Sequence, residues 1–112
     1  MVMEGIAGID IAVWDEGPGA VRDRVRGYGS GGWAPGDEAE AEMAGYAAKG
    51  FSAVKMRMVG RDGFSIDKTV RRVKADRRGI SPQVELMVDA HGALGVSTAT
   101  RLTKVLEEYD IA

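Results

Sequence analysis

The chain has 112 residues, with 15 Lys and Arg against 17 Asp and Glu, 16 Gly, one His and no Cys, and 45% of it is hydrophobic. That length supports one modest core, and a formal net charge of −2 with interspersed signs creates no polyanion-seeking field, so nucleic acid and anionic membranes are not expected partners. The lack of Cys excludes disulfides and thiolate chemistry, no apolar run reaches the ~20 residues of a membrane span, and no export signal is legible, so a cytoplasmic location is expected.

In chain order, Ile6, Ile9, Asp10, Val13 and Trp14 follow a helical period, and Asp15 to Ala20 is turn chemistry. Residues 1–20 therefore read as a short helix and a joint ahead of the main unit at 21–112. A weak strand is expected over Val25 to Ser30. A helix follows, with Asp37 and Glu40 in capping-box spacing, Met43, Tyr46 and Ala47 on one face, and Gly50 just past its end. Ala53 to Met58 reads as the second strand. The next helix takes Ser65 or Asp67 as its cap, Ile66, Val70 and Val73 as its apolar stripe, and Gly79 as its terminal glycine. Val84 to Asp89 is the third strand, and a helix from near Ser97 carries Leu102, Val105, Leu106 and Tyr109. Three strand–helix alternations predict an α/β fold with a parallel sheet.

In such sheets ligands bind at the C-terminal ends of the strands. Lys55 and Arg57, two residues apart, share one face of the second strand, and Asp89 and His91 repeat that spacing at the tip of the third. The structural alternatives are a solvated edge face for the two cations, a helix cap for Asp89 and a surface histidine for His91. Gly27, Gly29 and Gly32 match a GxGxxG fingerprint, but Trp33 to Gly36 intervene before the helix and no ribose-binding acid stands at the next strand tip, so nucleotide binding is a distant third reading. Met43, Met56, Met58 and Met87 read as core filler, and the basic cluster Arg71, Arg72, Lys74, Arg77 and Arg78 as a solvated helix face.

Four segments in order, Ala7 to Asp15, Gly50 to Arg57, Leu86 to Gly92 and Leu106 to Ile111, resemble the mandelate racemase branch of the enolase superfamily. The resemblance covers essentially the whole chain. It implies a partial TIM-type (β/α) barrel of about three βα units preceded by a short helix, and a magnesium-dependent enzyme that removes the proton α to a small sugar-acid carboxylate by way of an enediolate. It places Lys55 at the first Lys of the family's K-x-K pair and Asp89 at the first of three magnesium ligands. Arg57 stands where the second Lys, often the base, would be, and an arginine stays protonated, which makes it electrostatic support for the substrate. His91 replaces the usual Asn, as in mannonate-type dehydratases, where that His is thought to protonate the departing hydroxyl. Dehydration is therefore favoured over racemisation.

The resemblance also implies that the second and third metal ligands lie beyond Ala112, so this chain alone is expected to be inactive. The competing reading is a non-catalytic α/β module that covers its open sheet edges by self-association.

Overall fold

The computed structural model describes residues 24–32, 36–60 and 63–112. The expected N-terminal helix and joint, the boundary at residue 20 and Trp33 lie outside the described residues. Within them, strand β1 (Gly29–Gly31) leads to helix α1 (Gly36–Ala48), β2 (Ala53–Arg57) to α2 (Ile66–Gly79), and β3 (Glu85–Asp89) to α3 (Val96–Leu106), followed by one 3₁₀ turn at Glu107–Tyr109. The sheet is parallel in the order β1-β2-β3.

The sheet's two faces follow from alternation along β2. Val54 and Met56 are fully buried, while Lys55 and Arg57 between and after them are only partly covered. Parallel register sets Leu86 beside Val54 and Val88 beside Met56, which continues the apolar face onto β3. Against that one face pack Met43 of α1, Val73 of α2, and Leu102 and Leu106 of α3, together forming the core. A doubly wound sheet would reverse its strand order and take helices on both faces. Here the order follows the chain and these helices share a face, the arrangement of an arc of a (β/α) barrel. Ile111 forms a parallel bridge to Leu86 on the outer edge of β3, and Ala112 N–H donates to the Leu86 carbonyl at 3.0 Å, so the chain enters a fourth strand position.

The first strand differs from its expected position. Val25 is 84% exposed and precedes the ladder, which is formed by Gly29, Ser30 and Gly31. The physical reason is the approach of α1: a Cβ at Gly29 would lie 2.7 Å from the Tyr46 Cβ, and the Tyr46 hydroxyl donates to the Ser30 carbonyl at 3.1 Å. Of the GxGxxG glycines, Gly29 is thus a strand residue, and it and Gly31 are kept bare so that a helix can lie across the strand.

Gly79 is also corrected. It closes α2 in helical conformation, followed by extended Ile80, and is not a left-handed terminator. A Cβ there would collide with the Glu40 backbone carbonyl, so this glycine sets how closely α2 approaches α1. Gly50, by contrast, takes the left-handed conformation (φ +89°) expected after α1. Asp37 lies inside the first turn of α1, not ahead of it, and Ser65 occupies the N-cap position of α2 without a side-chain cap bond. Val105 is 42% exposed, off the buried stripe, and Met87 shares the Lys55 side of the sheet, outside the core.

Two members of the basic cluster are not on a solvated face. Arg77 donates from Nε to the Tyr109 carbonyl at 3.0 Å, from Nη1 to Val84 at 2.9 Å and from Nη2 to Asp110 at 2.6 Å, joining the end of α2 to the start of β3 and to the turn after α3. The Nε and Nη2 of Arg72 are buried without a hydrogen-bond partner, as are both oxygens of Asp76. Burial pushes the Asp76 carboxyl up to about 7, against the opposing pull of Arg72 and with Glu42 and Glu40 adding to the rise.

Two outcomes are expected. Gly79→Ala should lower stability by about 1–3 kcal/mol in urea unfolding, because the obstructing atoms are backbone. The folded state holds the Asp76 proton more tightly than the unfolded chain does. Its contribution is therefore complete at low pH and is lost as pH rises toward about 7. The melting temperature of Asp76→Asn should accordingly gain on that of the wild type across that interval and run parallel to it above.

Candidate active site

The outer ends of β2 and β3 carry the residues singled out by spacing. Because adjacent residues of a parallel pair point the same way, the register Lys55↔Met87 and Arg57↔Asp89 places both cations and the carboxylate on the face opposite the core. Lys55 reaches diagonally across the ladder, and its Nζ lies 3.1 Å from Asp89 Oδ2. Their side chains are 28% and 35% exposed, so water screens the pair only in part. The Met58 N–H donates to the Asp89 carbonyl at 2.9 Å, which carries the strand pairing one residue past Arg57.

His91 joins the site through its backbone. Its N–H donates to Asp89 Oδ1 at 2.8 Å, in a turn where His91 (φ 49°) and Gly92 (φ 73°) are both left-handed. A non-glycine residue in that region is uncommon, and the Asp89 carboxylate is what holds it there. Asp89 is thus neither a bare strand tip nor a helix cap: α3 begins seven residues later, with Gly95 at its N-cap.

Electrostatics follow from these contacts. The His91 N–H first, and then the Lys55 ammonium, hold the Asp89 carboxyl below the usual carboxylate range. The hydrogen bond to Asp89 holds Lys55 above the usual lysine range, despite some opposing desolvation. Lys55 is a fixed cation at neutral pH, unsuited to accept a proton.

Spacing missed Tyr28. Its ring centroid lies 5.5 Å from Lys55 Nζ, a cation–π distance that places β1 at the edge of the site. Tyr28 stands two residues before Ser30, which pairs with Lys55, and that pairing exists only in the folded sheet.

Magnesium demands several oxygen ligands in near-octahedral geometry. Among the described residues no group of three or more His, Asp and Glu side chains converges, and each oxygen of Asp89 already has a donor. The residues described here do not make a magnesium site by themselves. No helix among them is long and apolar enough to cross a membrane.

A sequence model of the enolase C-terminal domain-like family matches residues 38–112. Two similar curated proteins are a D-galactarolactone cycloisomerase of Agrobacterium fabrum, 31% identical over 89% of this chain and 30% of its own, and a D-galactonate dehydratase of Ralstonia nicotianae, 33% identical over 97% of this chain and 33% of its own. The chain spans about a third of the length of these relatives. Among solved structures, the 3,6-anhydro-D-galactonate cycloisomerase of Zobellia galactanivorans superposes with a TM-score of 0.68 at 28% identity, over 78% of this chain and 23% of that one.

The contribution of each neighbour to Asp89 is open to measurement. Carbon-detected NMR titration of its carboxyl should move up on Lys55→Met yet stay below the usual carboxylate range, because the His91 N–H remains. The ion pair should persist in the wild type from below that range to above the usual lysine range, since both shifts favour the charged forms.

Proposed function

The chain belongs to the enolase C-terminal domain-like family, and from that premise we propose that its strand tips are part of a site that removes the α-proton of a small sugar-acid carboxylate, as a dehydratase. The observation that carries this reading is the juxtaposition of Lys55 and Asp89 at 3.1 Å on adjacent strand ends, with Arg57 in register beside Asp89. It is supported by the dehydratase and cycloisomerase relatives, whose names concern galactonate and galactarolactone chemistry.

In this reading Arg57 and Lys55 are cations facing the substrate carboxylate, where negative charge grows as the α-proton leaves. Neither serves as the base, which another part of the site supplies. The His91 imidazole is the acid that protonates the departing β-hydroxyl, so that water leaves and the enol relaxes to a 2-keto acid. Magnesium is the metal we assign to the complete site, with Asp89 as one ligand. The described residues do not suffice to hold it. The 112 residues alone are expected to be inert.

The test is deuterium exchange at the α carbon of D-galactonate in the presence of magnesium. The chain alone should give none. A chimera that supplies the remaining length of the Ralstonia dehydratase should exchange, and Asp89→Asn or Arg57→Met should each slow it at least a hundredfold, about 2.7 kcal/mol of transition-state stabilisation. A folded chimera whose exchange is indifferent to both substitutions would refute the reading.

A second reading, a non-catalytic module that pairs with a copy of itself, is favoured by one observation. A groove of about 610 Å³ runs beside the β3 edge, lined by Met58, Val88, Ala90, Leu94, Leu102 and Leu106 among others. Sedimentation decides it: a monomer at millimolar concentration sinks this reading, and a dimer broken by Leu94→Glu supports it.

A further inference from the structure

We infer that Glu42, on the helix behind the sheet, is a positioning residue for Arg57 and acts on it through the end of β1. The inference rests on the reading of Arg57 as a cation that faces the substrate carboxylate, and it adds what holds that cation's strand tip in place.

Helix α1 crosses β1 with two side chains, one turn apart, that reach the strand. Tyr46 covers Gly29 and donates to the Ser30 carbonyl at 3.1 Å. Glu42 is half-buried and reaches further toward the strand's end. Its Oε2 accepts the Gly32 N–H at 3.0 Å, and a Cβ at Gly31 would collide with its Oε1. The Tyr46 hydroxyl lies 3.5 Å from that same Oε1, so the helix holds its own carboxylate in place against the strand. Gly31 is the last residue of β1, and Gly32, the first to leave the sheet, gives its amide to Glu42. A bond from a backbone amide to a charged acceptor is among the stronger kinds.

Gly32 in turn rests on the tip of β2. It is buried and left-handed (φ 94°), and a Cβ there would stand 2.5 Å from the Arg57 backbone nitrogen and 3.0 Å from the Met56 Cα. Backbone lies on backbone, so no side chain between them can give way. The tie therefore runs from α1 through Glu42 and Gly32 to the point where Arg57 leaves the sheet. On its other side Arg57 is held in register with Asp89. A guanidinium head is placed no better than the Cα that carries it, and a misplacement of about 1 Å is enough to cost up to a hundredfold in rate.

NMR of the 112-residue chain tests the placement. Glu42→Gln keeps an oxygen that can accept from Gly32, and its Gly32 amide should exchange with solvent within about threefold of the wild-type rate. Glu42→Leu removes the acceptor and Glu42→Asp falls one methylene short. Both should speed Gly32 exchange by about tenfold or more and displace the Arg57 amide and Nε resonances together. The control is Arg26→Met, which removes contacts to Ser52 and Glu85 at the opposite end of the sheet and should cost stability while leaving the Arg57 resonances unmoved. Should Glu42→Leu fail to fold, Glu42→Asp decides, since it keeps the charge and nearly the volume. Arg57 resonances that stay in place while Gly32 exchanges faster overturn the inference. So do Gly32 exchange indifferent to all three Glu42 substitutions, Glu42→Gln behaving as Glu42→Leu, and Arg26→Met displacing Arg57 equally.

In the chimera, Glu42→Leu should slow α-deuterium exchange about tenfold and Glu42→Gln less than about threefold, and equal rates in the two overturn the positioning role. A parent chimera that gives no exchange sinks the dehydratase reading and leaves the amide measurements to decide this inference.

Discussion

Parallel pairing between β2 and β3 is the constraint on which the rest depends. Side chains opposite one another in a parallel ladder point to the same side, so the register that places Leu86 beside Val54 also places Asp89 beside Arg57. One hydrogen-bonded alignment therefore assembles the apolar floor under the helices and the charged face above it. A slip by one residue would invert both at once, sending Lys55 into the core and Val54 out. Burial of Val54, Met56 and Leu86 holds the register in place, and the site inherits its geometry from that burial.

The helices are held to the sheet by close approach more than by wide apolar stripes. Gly29 leaves room for Tyr46 where α1 crosses β1, and Gly79 leaves room for the Glu40 carbonyl where α2 lies beside α1, so a methyl group at either position would force the two elements apart. Polar atoms trapped by this tight packing meet different fates. Arg77 finds three carbonyls and becomes a joint between α2, β3 and the turn after α3. Asp76 and the Nε and Nη2 of Arg72 find no hydrogen bond, and the raised Asp76 carboxyl leaves the α1–α2 contact sensitive to protonation. Similar residue types on one helix thus do opposite things, according to which carbonyls lie within reach.

The site sits across two strand ends and draws its third member, Tyr28, from the approach to β1. Lys55, Asp89 and the His91 backbone form a closed set of contacts, with the carboxylate at its centre. That centre is anionic and the groups around it are donors. This suits it to hold cationic side chains in place, and it sets the terms on which anything else could bind there. On the other side of the sheet, Ile111 continues the parallel ladder at the edge of β3 beside an apolar groove. The family comparison fits this geometry, because relatives three times as long carry the same arc within a larger whole.

Much of this was legible in the residues alone. Three apolar runs about thirty residues apart, separated by amphipathic stretches, determined parallel strands with helical crossovers, and the i, i+2 spacing of Lys55 with Arg57 and of Asp89 with His91 marked the strand tips. Those signals are local and periodic, so they survive without knowledge of what lies nearby. The exact place of β1, the role of Gly79, the exposure of Val105 and the cation–π contact of Tyr28 were decided only in three dimensions. Each depends on what another element brings within a few ångströms: α1 over Gly29, Glu40 over Gly79, Lys55 over Tyr28. The use of the His91 backbone in place of its ring belongs with them, since a left-handed turn is set by the carboxylate that closes it. A sequence records which side chains a strand presents, and only the packed fold decides which atoms of its neighbours they meet.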